Sequence, residues 1–203
     1  VIGGGIAGMA AAWRLKTQGH TPVVYEMRDR VGGRMHSFRK GDFLMDVGMS
    51  AYLGTYRESL ALIAELGLAD QLSERAAIGG FSRNGRRFQF HYHKPLSIAL
   101  TTSYLSLGEK LRALRLGIDT FKPRANLGYA DYTKLAEVDV ESVQQYCERT
   151  MSAELRQYVG RPLVSGTWAA DDADTSVALL FWTVRNMLAP NVYNLNGGVM
   201  QLP

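Results

Sequence analysis

The sequence contains a single cysteine, Cys147, among 203 residues. One thiol cannot form an internal disulfide, which excludes a disulfide-stapled scaffold and gives no reason to expect an oxidising compartment. The 6 prolines and 21 glycines together are too few for a collagen-like or low-complexity chain. No apolar run approaches the roughly 18 residues that a transmembrane helix needs. This composition predicts an ordinary globular protein.

The charges are close to balanced, with 23 Lys and Arg residues against 19 Asp and Glu residues and a net charge of +4. An excess this small fits an anionic ligand or membrane surface and gives no reason to expect a nucleic-acid partner. His91 and His93 alternate without a further cluster of ligand residues, so we expect no metal site. We expect a cytoplasmic protein, with peripheral contact to a membrane as an alternative.

The first residues carry the pattern of a nucleotide-binding β-α-β unit. Val1-Ile2 is predicted to end a strand, and a helix of small and apolar residues follows until Gly19. Between them the glycines have the spacing Gly-x-Gly-x-x-Gly, in which the first allows a tight turn, the second lets a pyrophosphate approach the backbone, and the third lets the helix pack closely. The N–H groups of the helix N-terminus attract phosphate. The predicted phosphate contacts are Gly3, Gly5, Ile6, Ala7 and Gly8.

A short apolar segment, Pro22–Glu26, is predicted as the second strand of this unit, buried in a parallel sheet. Glu26 ends it, 23 residues after Gly3. A carboxylate at this position can accept hydrogen bonds from ribose hydroxyls and would repel a 2′-phosphate. The pattern to this point predicts a dinucleotide and does not distinguish NAD from FAD.

A second glycine-rich segment, residues 30–37, follows with the sequence Arg-Val-Gly-Gly-Arg-Met-His-Ser. Together with Glu26 it resembles the FAD fingerprint of the amine oxidase, protoporphyrinogen oxidase and phytoene desaturase superfamily. Adjacent glycines let backbone lie against the ribityl and pyrophosphate part of FAD, and arginine offers fixed donors to anionic oxygens. Asp46-Val47-Gly48 is similar to the Asp-x-Gly step beside the flavin ring in that family. The resemblance implies further FAD contacts at Arg28, Gly32, Gly33, Arg34, Asp46 and Gly48.

No further β-α-β pattern follows Glu26, and the later sequence is predicted to be mostly helical until a glycine-rich segment occurs again at Gly197-Gly198. We therefore expect an α/β fold, in which a Rossmann-like FAD-binding domain holds an inserted, mostly helical substrate domain. The predicted ranges are 1–54 for the FAD-binding β-α-β and Gly-Gly loop region, 55–190 for the substrate-domain insertion, and 191–203 for the return toward the FAD-binding domain. Because the sequence begins inside a strand and lacks a closing element, we expect it to be truncated at both ends.

Several elements of the insertion have their own signals. A capping box over residues 55–58 predicts a helix with Leu60, Ile63 and Leu66 on one face, and Asn84-Gly85 predicts a hairpin. Further helices are predicted over Leu96–Leu107, from Glu109, from Asp139 with Val140, Val143 and Cys147 inward, from Ser152, and over Ser176–Met187. The Phe81–His93 hairpin and the apolar Leu96–Leu107 helix, which Lys110, Arg112 and Arg115 follow, are predicted either to line a substrate pocket or to contact a membrane surface. The alternative is an internal core helix with a solvated basic end.

The resemblance implies a function, namely an FAD-dependent oxidoreductase in which flavin accepts hydride from a small-molecule substrate that is oxidised at a C–N or C–C unit. No catalytic residue is predicted, because in many amine oxidases the lysine near the flavin ring comes from a later part of the chain. One alternative is an NAD-dependent dehydrogenase, which explains Gly3 to Glu26 but leaves residues 30–37 without a role. The other is a non-catalytic flavin-fold fragment.

Overall fold

The computed structural model describes residues 1–76, 78–83, 85–91, 105–121, 132–187 and 191–203. It divides into two compact units, Val1–Ala76 with Asn191–Pro203, and Ala77–Pro190. Residues 55–76 therefore belong to the first unit, whereas the sequence boundary assigned them to the insertion. Within the first unit, helix and strand segments of residues 55–76 pack against Tyr193 and Leu195 of the returning chain.

The described helices and strands are, in chain order, α1 (Ile6–Thr17), β1 (Met35–Lys40), β2 (Phe43–Gly48), β3 (Tyr52–Leu53), α2 (Arg57–Glu65), β4 (Leu72–Glu74), β5 (Ile78–Arg83), β6 (Arg86–His91), α3 (Leu107–Thr120), α4 (Val143–Thr150), α5 (Ala153–Leu155), α6 (Arg161–Trp168), α7 (Val177–Met187) and β7 (Val192–Leu195). Short 3₁₀ turns cover Ala69–Gln71, Tyr132–Glu137 and Val199–Gln201, and a π-helical turn covers Arg156–Gly160.

The parallel pairing predicted at the start of the chain is confirmed by a bridge between Ile2 and Tyr25. The N–H of Tyr25 donates to the Val1 carbonyl at 2.9 Å, and the N–H of Gly3 donates to the Tyr25 carbonyl at 2.8 Å. The predicted burial of this strand is wrong, because Val23 and Tyr25 are 58% and 70% exposed. A pair of such short segments has too little neighbouring surface to cover both of its faces.

Helix α1 ends as the glycine signal predicts. Gly19 adopts a positive φ of 87°, its N–H donates to the Lys16 carbonyl, and the N–H of His20 donates to the Leu15 carbonyl. These two bonds form a Schellman motif, which satisfies carbonyls at the end of the helix.

The antiparallel strands of the first unit form a β1–β2 hairpin and a three-stranded sheet in the order β3-β7-β4. Helix α2 buries Ile63 against this sheet, with Leu60 and Leu66 partly buried beside it, as its spacing predicts. The predicted capping box is wrong. Tyr56 occupies the N-cap without a side-chain cap, so the Thr55 hydroxyl lies one position too early to reach the first turn.

In the second unit the predicted hairpin is confirmed, since β5 pairs with β6 in antiparallel register from Ile78–His91 to Arg83–Arg86. Gly85 adopts a φ of 74° in the turn, and Asn84 lies outside the described residues. Most of the predicted Leu96–Leu107 helix also lies outside them. Helix α3 follows, and a capping box between Ser106 and Glu109 begins it.

The core of the second unit is helical. Val143 and Cys147 of α4 are fully buried with Leu180 of α7, as predicted, but Val140 is 77% exposed. Asp139 does not cap α4. Ser142 does, because its hydroxyl accepts from the Gln145 N–H, so the helix begins later than predicted and Val140 stays outside it. The predicted starts of the next helices are confirmed at Ser152, which caps α5, and at Ser176, whose hydroxyl accepts from the N–H of Ala178 in α7.

Within the described residues, no group of three or more His, Cys, Asp and Glu side chains is placed to hold a metal ion. No helix in the same part of the chain has both the length and the apolar character needed to cross a bilayer.

Candidate functional site

The turn between the first strand and α1 is built from glycine backbone. Gly3 has a φ of 91°, a conformation that favours glycine. A Cβ on Gly8 would overlap the carbonyl oxygen of Gly3. The third glycine of the motif is therefore required by the protein's own packing, because the first turn of the helix touches the tight turn before it.

Gly5 lies in a different environment from Gly8. Its φ and ψ are −74° and 174°, and a Cβ at this position would meet no protein atom within 4 Å. Gly5 is the N-cap of α1, no side chain caps the helix, and its first turn contains no acidic residue. The N–H groups of Ile6, Ala7 and Gly8 cannot reach a carbonyl within the helix. The space beside Gly5 and these donors together suit an anionic ligand.

Glu26 is held at the end of its segment by backbone donors. The Gly4 N–H donates to Oε2 at 2.6 Å, and the Arg28 N–H donates to Oε1 at 3.0 Å. The Arg28 and Gly4 N–H groups hold the pKa of the Glu26 carboxyl below its usual range. The side chain is therefore an oriented carboxylate at neutral pH, next to the glycine turn.

The second glycine segment packs directly on the first. The Gly32 N–H donates to the Gly4 carbonyl at 2.7 Å, and a Cβ on Gly33 would lie 3.3 Å from the Gly5 Cα. Gly32 and Gly33 have φ values of 99° and 57°. Arg30 holds this loop, since its guanidinium lies 3.3 Å from the Gly33 carbonyl as a donor. The two glycine-rich segments of the sequence thus form one continuous backbone surface.

Two arginines of this region extend into solvent. Arg28 and Arg34 are exposed, and neither forms an ion pair with another residue in the described ranges. Neither guanidinium lies within ion-pair distance of a carboxylate in the described ranges, although the charge of Arg28 interacts with Glu26 at longer range. Guanidinium groups of this kind bind phosphate oxygens through paired donors.

Asp46 and Gly48 have roles within the protein itself. The Ser37 hydroxyl donates to Asp46 Oδ1 at 2.6 Å, and the same oxygen accepts from the Val199 N–H at 3.1 Å. The Ser37 hydroxyl also accepts from the Met200 N–H at 3.1 Å. Asp46 therefore caps the 3₁₀ turn of the returning chain. Gly48 has a φ of 90°, and a Cβ there would overlap the Arg34 carbonyl.

This Ser37–Asp46 pair is the part of the site that the sequence did not predict. Ser37 ends the predicted FAD fingerprint and Gly197-Gly198 marks the predicted return of the chain, but no feature of the sequence indicates that these two segments meet. Gly198 has a φ of 89°, and a Cβ on it would lie 2.7 Å from the Ser37 Cβ. A glycine is thus required where the returning chain crosses the hairpin.

Comparison with known proteins places these features in a family. Residues 6–203 match the family model of flavin containing amine oxidoreductases. The chain is 29% identical over 193 residues to protoporphyrinogen oxidase 2 of Arabidopsis thaliana, covering 91% of this chain and 36% of that protein. It is 28% identical over 201 residues to coproporphyrinogen III oxidase of Propionibacterium freudenreichii, covering 92% of this chain and 34% of that protein.

Solved structures show the same fold. A putrescine oxidase variant superimposes with a TM-score of 0.71 at 23% identity, covering 99% of this chain and 46% of that one. The chain spans about a third of the length of the curated relatives it matches. The family match favours a flavin over NAD as the cofactor. From the match over residues 6–203, the chain belongs to the family of flavin containing amine oxidoreductases.

Proposed function

We propose that this protein is an FAD-dependent oxidoreductase and that its first unit holds the ADP half of FAD. The observation that carries this proposal is the contact between Gly33 and Gly5, which joins the two glycine segments beside an uncapped helix N-terminus. The surface exposes backbone donors and has open space where a side chain on Gly5 would stand. A pyrophosphate needs both features in order to approach a backbone.

Each residue of this surface has a role toward FAD in the proposal. The N–H groups of Ile6, Ala7 and Gly8 donate to the pyrophosphate, and Gly3 and Gly5 shape the turn that admits it. Glu26 accepts from the adenosine ribose through the oxygen lone pairs that Gly4 and Arg28 leave unused. Gly32 and Gly33 lie along the pyrophosphate and ribityl part, and Arg28 and Arg34 add positive charge.

Asp46 and Gly48 act one step further from the cofactor in this proposal. Asp46 orients the turn over Val199–Gln201 through its hydrogen bond to the Val199 N–H, and Gly48 keeps the end of β2 close to Arg34. These residues therefore position neighbouring backbone toward the flavin. Substitution of either residue should therefore lower the stability of the protein without changing which cofactor it binds.

When bound, FAD would supply a two-electron acceptor for the oxidation of a C–N or C–C unit of a small-molecule substrate, in which the hydride comes from a C–H bond of that unit. The protein's part is to bind the cofactor and to keep the oxidised bond against it. The unit over Ala77–Pro190 is proposed to form the substrate domain, because its helical core is separate from the glycine-rich unit.

The cofactor released from purified protein tests the proposal. Heat-denatured protein should release FAD, identified by mass spectrometry, and native protein should show a flavin absorption band that bleaches under anaerobic conditions with an oxidisable substrate. A panel of primary amines and porphyrinogens covers the substrate types named among the relatives. Release of NAD instead would support the dehydrogenase alternative. Bound FAD that no compound in the panel reduces would favour the non-catalytic alternative.

A further inference from the structure

The turn that follows β7 contains an Asn-Gly pair, Asn196-Gly197. It lies between the end of the strand at Leu195 and the 3₁₀ turn over Val199–Gln201, and the Gly198 N–H closes it by donating to the Leu195 carbonyl at 3.0 Å. In such a pair the main-chain nitrogen of the glycine can attack the side-chain amide carbon of the asparagine, because no side chain shields that nitrogen and the glycine main chain rotates easily. The asparagine can then lose its amide.

Asn196 differs in this respect from the other asparagines of the described residues. These are Asn186, Asn191 and Asn194, and each of them precedes a residue with a large side chain. Asn196 is also exposed, so water and hydroxide can reach its side-chain amide. Within the described ranges, Asn196 therefore combines an unshielded neighbouring nitrogen with access to solvent.

The side-chain amide of Asn196 is held by a donor at its oxygen. The Ser73 hydroxyl of β4 donates to Asn196 Oδ1 at 2.7 Å. The main chain of Asn196 is held by the same part of the protein, since its N–H donates to the Gln71 carbonyl at 2.9 Å. When a nucleophile adds to the amide carbon, negative charge develops on Oδ1, and a donor that is already in place stabilises that charge. Ser73 is thus placed to favour the attack.

The attacking nitrogen also has a partner. The Gly197 N–H donates to Gln201 Oε1 at 3.2 Å, and the Gln201 side chain lies where a Cβ on Gly197 would stand. This nitrogen must lose its proton before it can form a bond. An amide oxygen is too weak a base to keep that proton, but Gln201 is exposed, so the bond directs the N–H toward solvent hydroxide.

We propose that Asn196 is a site of spontaneous covalent modification, at which the asparagine is converted to aspartate and isoaspartate. The Gly197 nitrogen loses its proton to hydroxide and forms a bond to the Asn196 Cγ, while the bond from Cγ to Nδ2 breaks. Nδ2 takes a proton from water and leaves as ammonia, which returns the hydroxide. Water then opens the cyclic imide, giving aspartate if it attacks Cγ and isoaspartate if it attacks the main-chain carbonyl carbon.

The position of the pair gives the modification a structural consequence. Isoaspartate adds a methylene group to the main chain directly before Gly197. Gly198 is buried next to it, and a Cβ there would lie 2.7 Å from the Ser37 Cβ, so the crossing of the returning chain over the hairpin has no room for a longer main chain. Conversion to isoaspartate should therefore weaken the turn that Asp46 caps.

Peptide mapping by mass spectrometry of the full chain, incubated in mildly alkaline buffer, tests the proposal. The Asn196 peptide should gain the mass of an amide-to-acid conversion and become a substrate for enzymatic methylation of isoaspartate, whereas Asn191 and Asn194 should stay unconverted. Ser73→Ala should slow the conversion about threefold, the effect of one ordinary hydrogen bond in the transition state. Ser82→Ala is the matched control, since it removes an exposed hydroxyl on β5, and it should leave the rate unchanged.

The same incubation in urea separates the contribution of the fold from the chemistry of the Asn-Gly pair. Parent and Ser73→Ala protein should convert at the same rate in urea, because unfolding removes the contact with Asn196. Circular dichroism should show that both serine variants are folded in buffer, since both side chains are exposed. The isoaspartate form, isolated by ion exchange through its added charge, should have a lower Tm than unconverted protein.

Two results would overturn the proposal. One is a native parent protein whose Asn196 stays intact during the period in which the urea-unfolded parent converts. The other is a folded Ser73→Ala variant that converts at the parental rate in buffer. All of these measurements are made without FAD, so they are independent of the proposed function.

Discussion

The two motif glycines Gly5 and Gly8 allow a direct separation of cofactor binding from folding. A Cβ on Gly5 would meet no protein atom within 4 Å, and its φ and ψ of −74° and 174° suit any residue. We expect Gly5→Ala to change the free energy of unfolding by no more than about 1 kcal/mol. The new methyl group would occupy the space that the pyrophosphate needs, so the affinity for FAD should fall about thirtyfold, which corresponds to ~2 kcal/mol.

Gly8→Ala should show the opposite balance. Its Cβ would overlap the Gly3 carbonyl oxygen, and neither atom can rotate away, because the Gly8 backbone fixes the Cβ and the oxygen is itself a backbone atom. Forcing a methyl group into such a contact costs about 3 kcal/mol, and the better helix propensity of alanine returns about 1 kcal/mol. The net loss of about 2 kcal/mol should lower the Tm by roughly 4–8 °C.

Differential scanning calorimetry of cofactor-free protein and fluorescence titration with FAD measure the two effects. Gly19→Ala offers a control outside the site, since Gly19 has a positive φ of 87° and its loss should lower stability without changing FAD affinity. A folded Gly5→Ala protein with parental FAD affinity would refute the close approach of pyrophosphate to this backbone. A Gly8→Ala protein with unchanged Tm would refute the packing role of the third glycine.

Three further predictions concern single side chains. Glu26→Gln should weaken FAD binding by about tenfold, because the amide loses the charge-assisted bond to ribose. Since the pKa of Glu26 is lowered, the part of FAD binding that depends on its charge should persist through mildly acidic pH and disappear only as the pH falls through that lowered value. The same loss of FAD affinity on acidification in the Glu26→Gln variant and in the parent protein would contradict the assignment. Asp46→Ala should reduce the free energy of unfolding by about 2 kcal/mol, measured by urea denaturation, because the Val199 N–H and the Ser37 hydroxyl lose their acceptor; parental stability would show that the pair does not support the turn. Burial raises the pKa of the Cys147 thiol to about 11, so native protein at pH 8 should react with a thiol reagent at least about a hundredfold more slowly than unfolded protein, and rapid labelling would contradict this burial.

The sequence predicted the local elements whose signals act over a few residues. The Gly19 helix end, the β5–β6 hairpin and the cap at Ser152 each depend on backbone conformations or hydrogen bonds between near neighbours. The same holds for the start of the glycine turn, where the spacing of Gly3, Gly5 and Gly8 prescribes close backbone contacts.

The errors occurred where a choice between nearby cap positions or a long-range contact decided the outcome. Thr55 and Asp139 are both good capping residues, but helices α2 and α4 begin after Tyr56 and Ser142 instead. The bond between Asp46 and the Val199 N–H joins residues 153 positions apart, a separation that no local pattern reports. The exposure of Tyr25 likewise depends on what surrounds the strand rather than on its own residues.

The most direct test of the central claim compares the affinity of cofactor-free protein for FAD, FMN and NAD by isothermal titration calorimetry. The glycine surface, Glu26 and the exposed arginines are proposed to hold the ADP half of FAD, which FMN lacks. The prediction is that FAD binds tightest, that ADP competes with it, and that FMN binds at least about a hundredfold more weakly. FMN binding as tightly as FAD, or NAD binding more tightly than FAD, would contradict the proposed site.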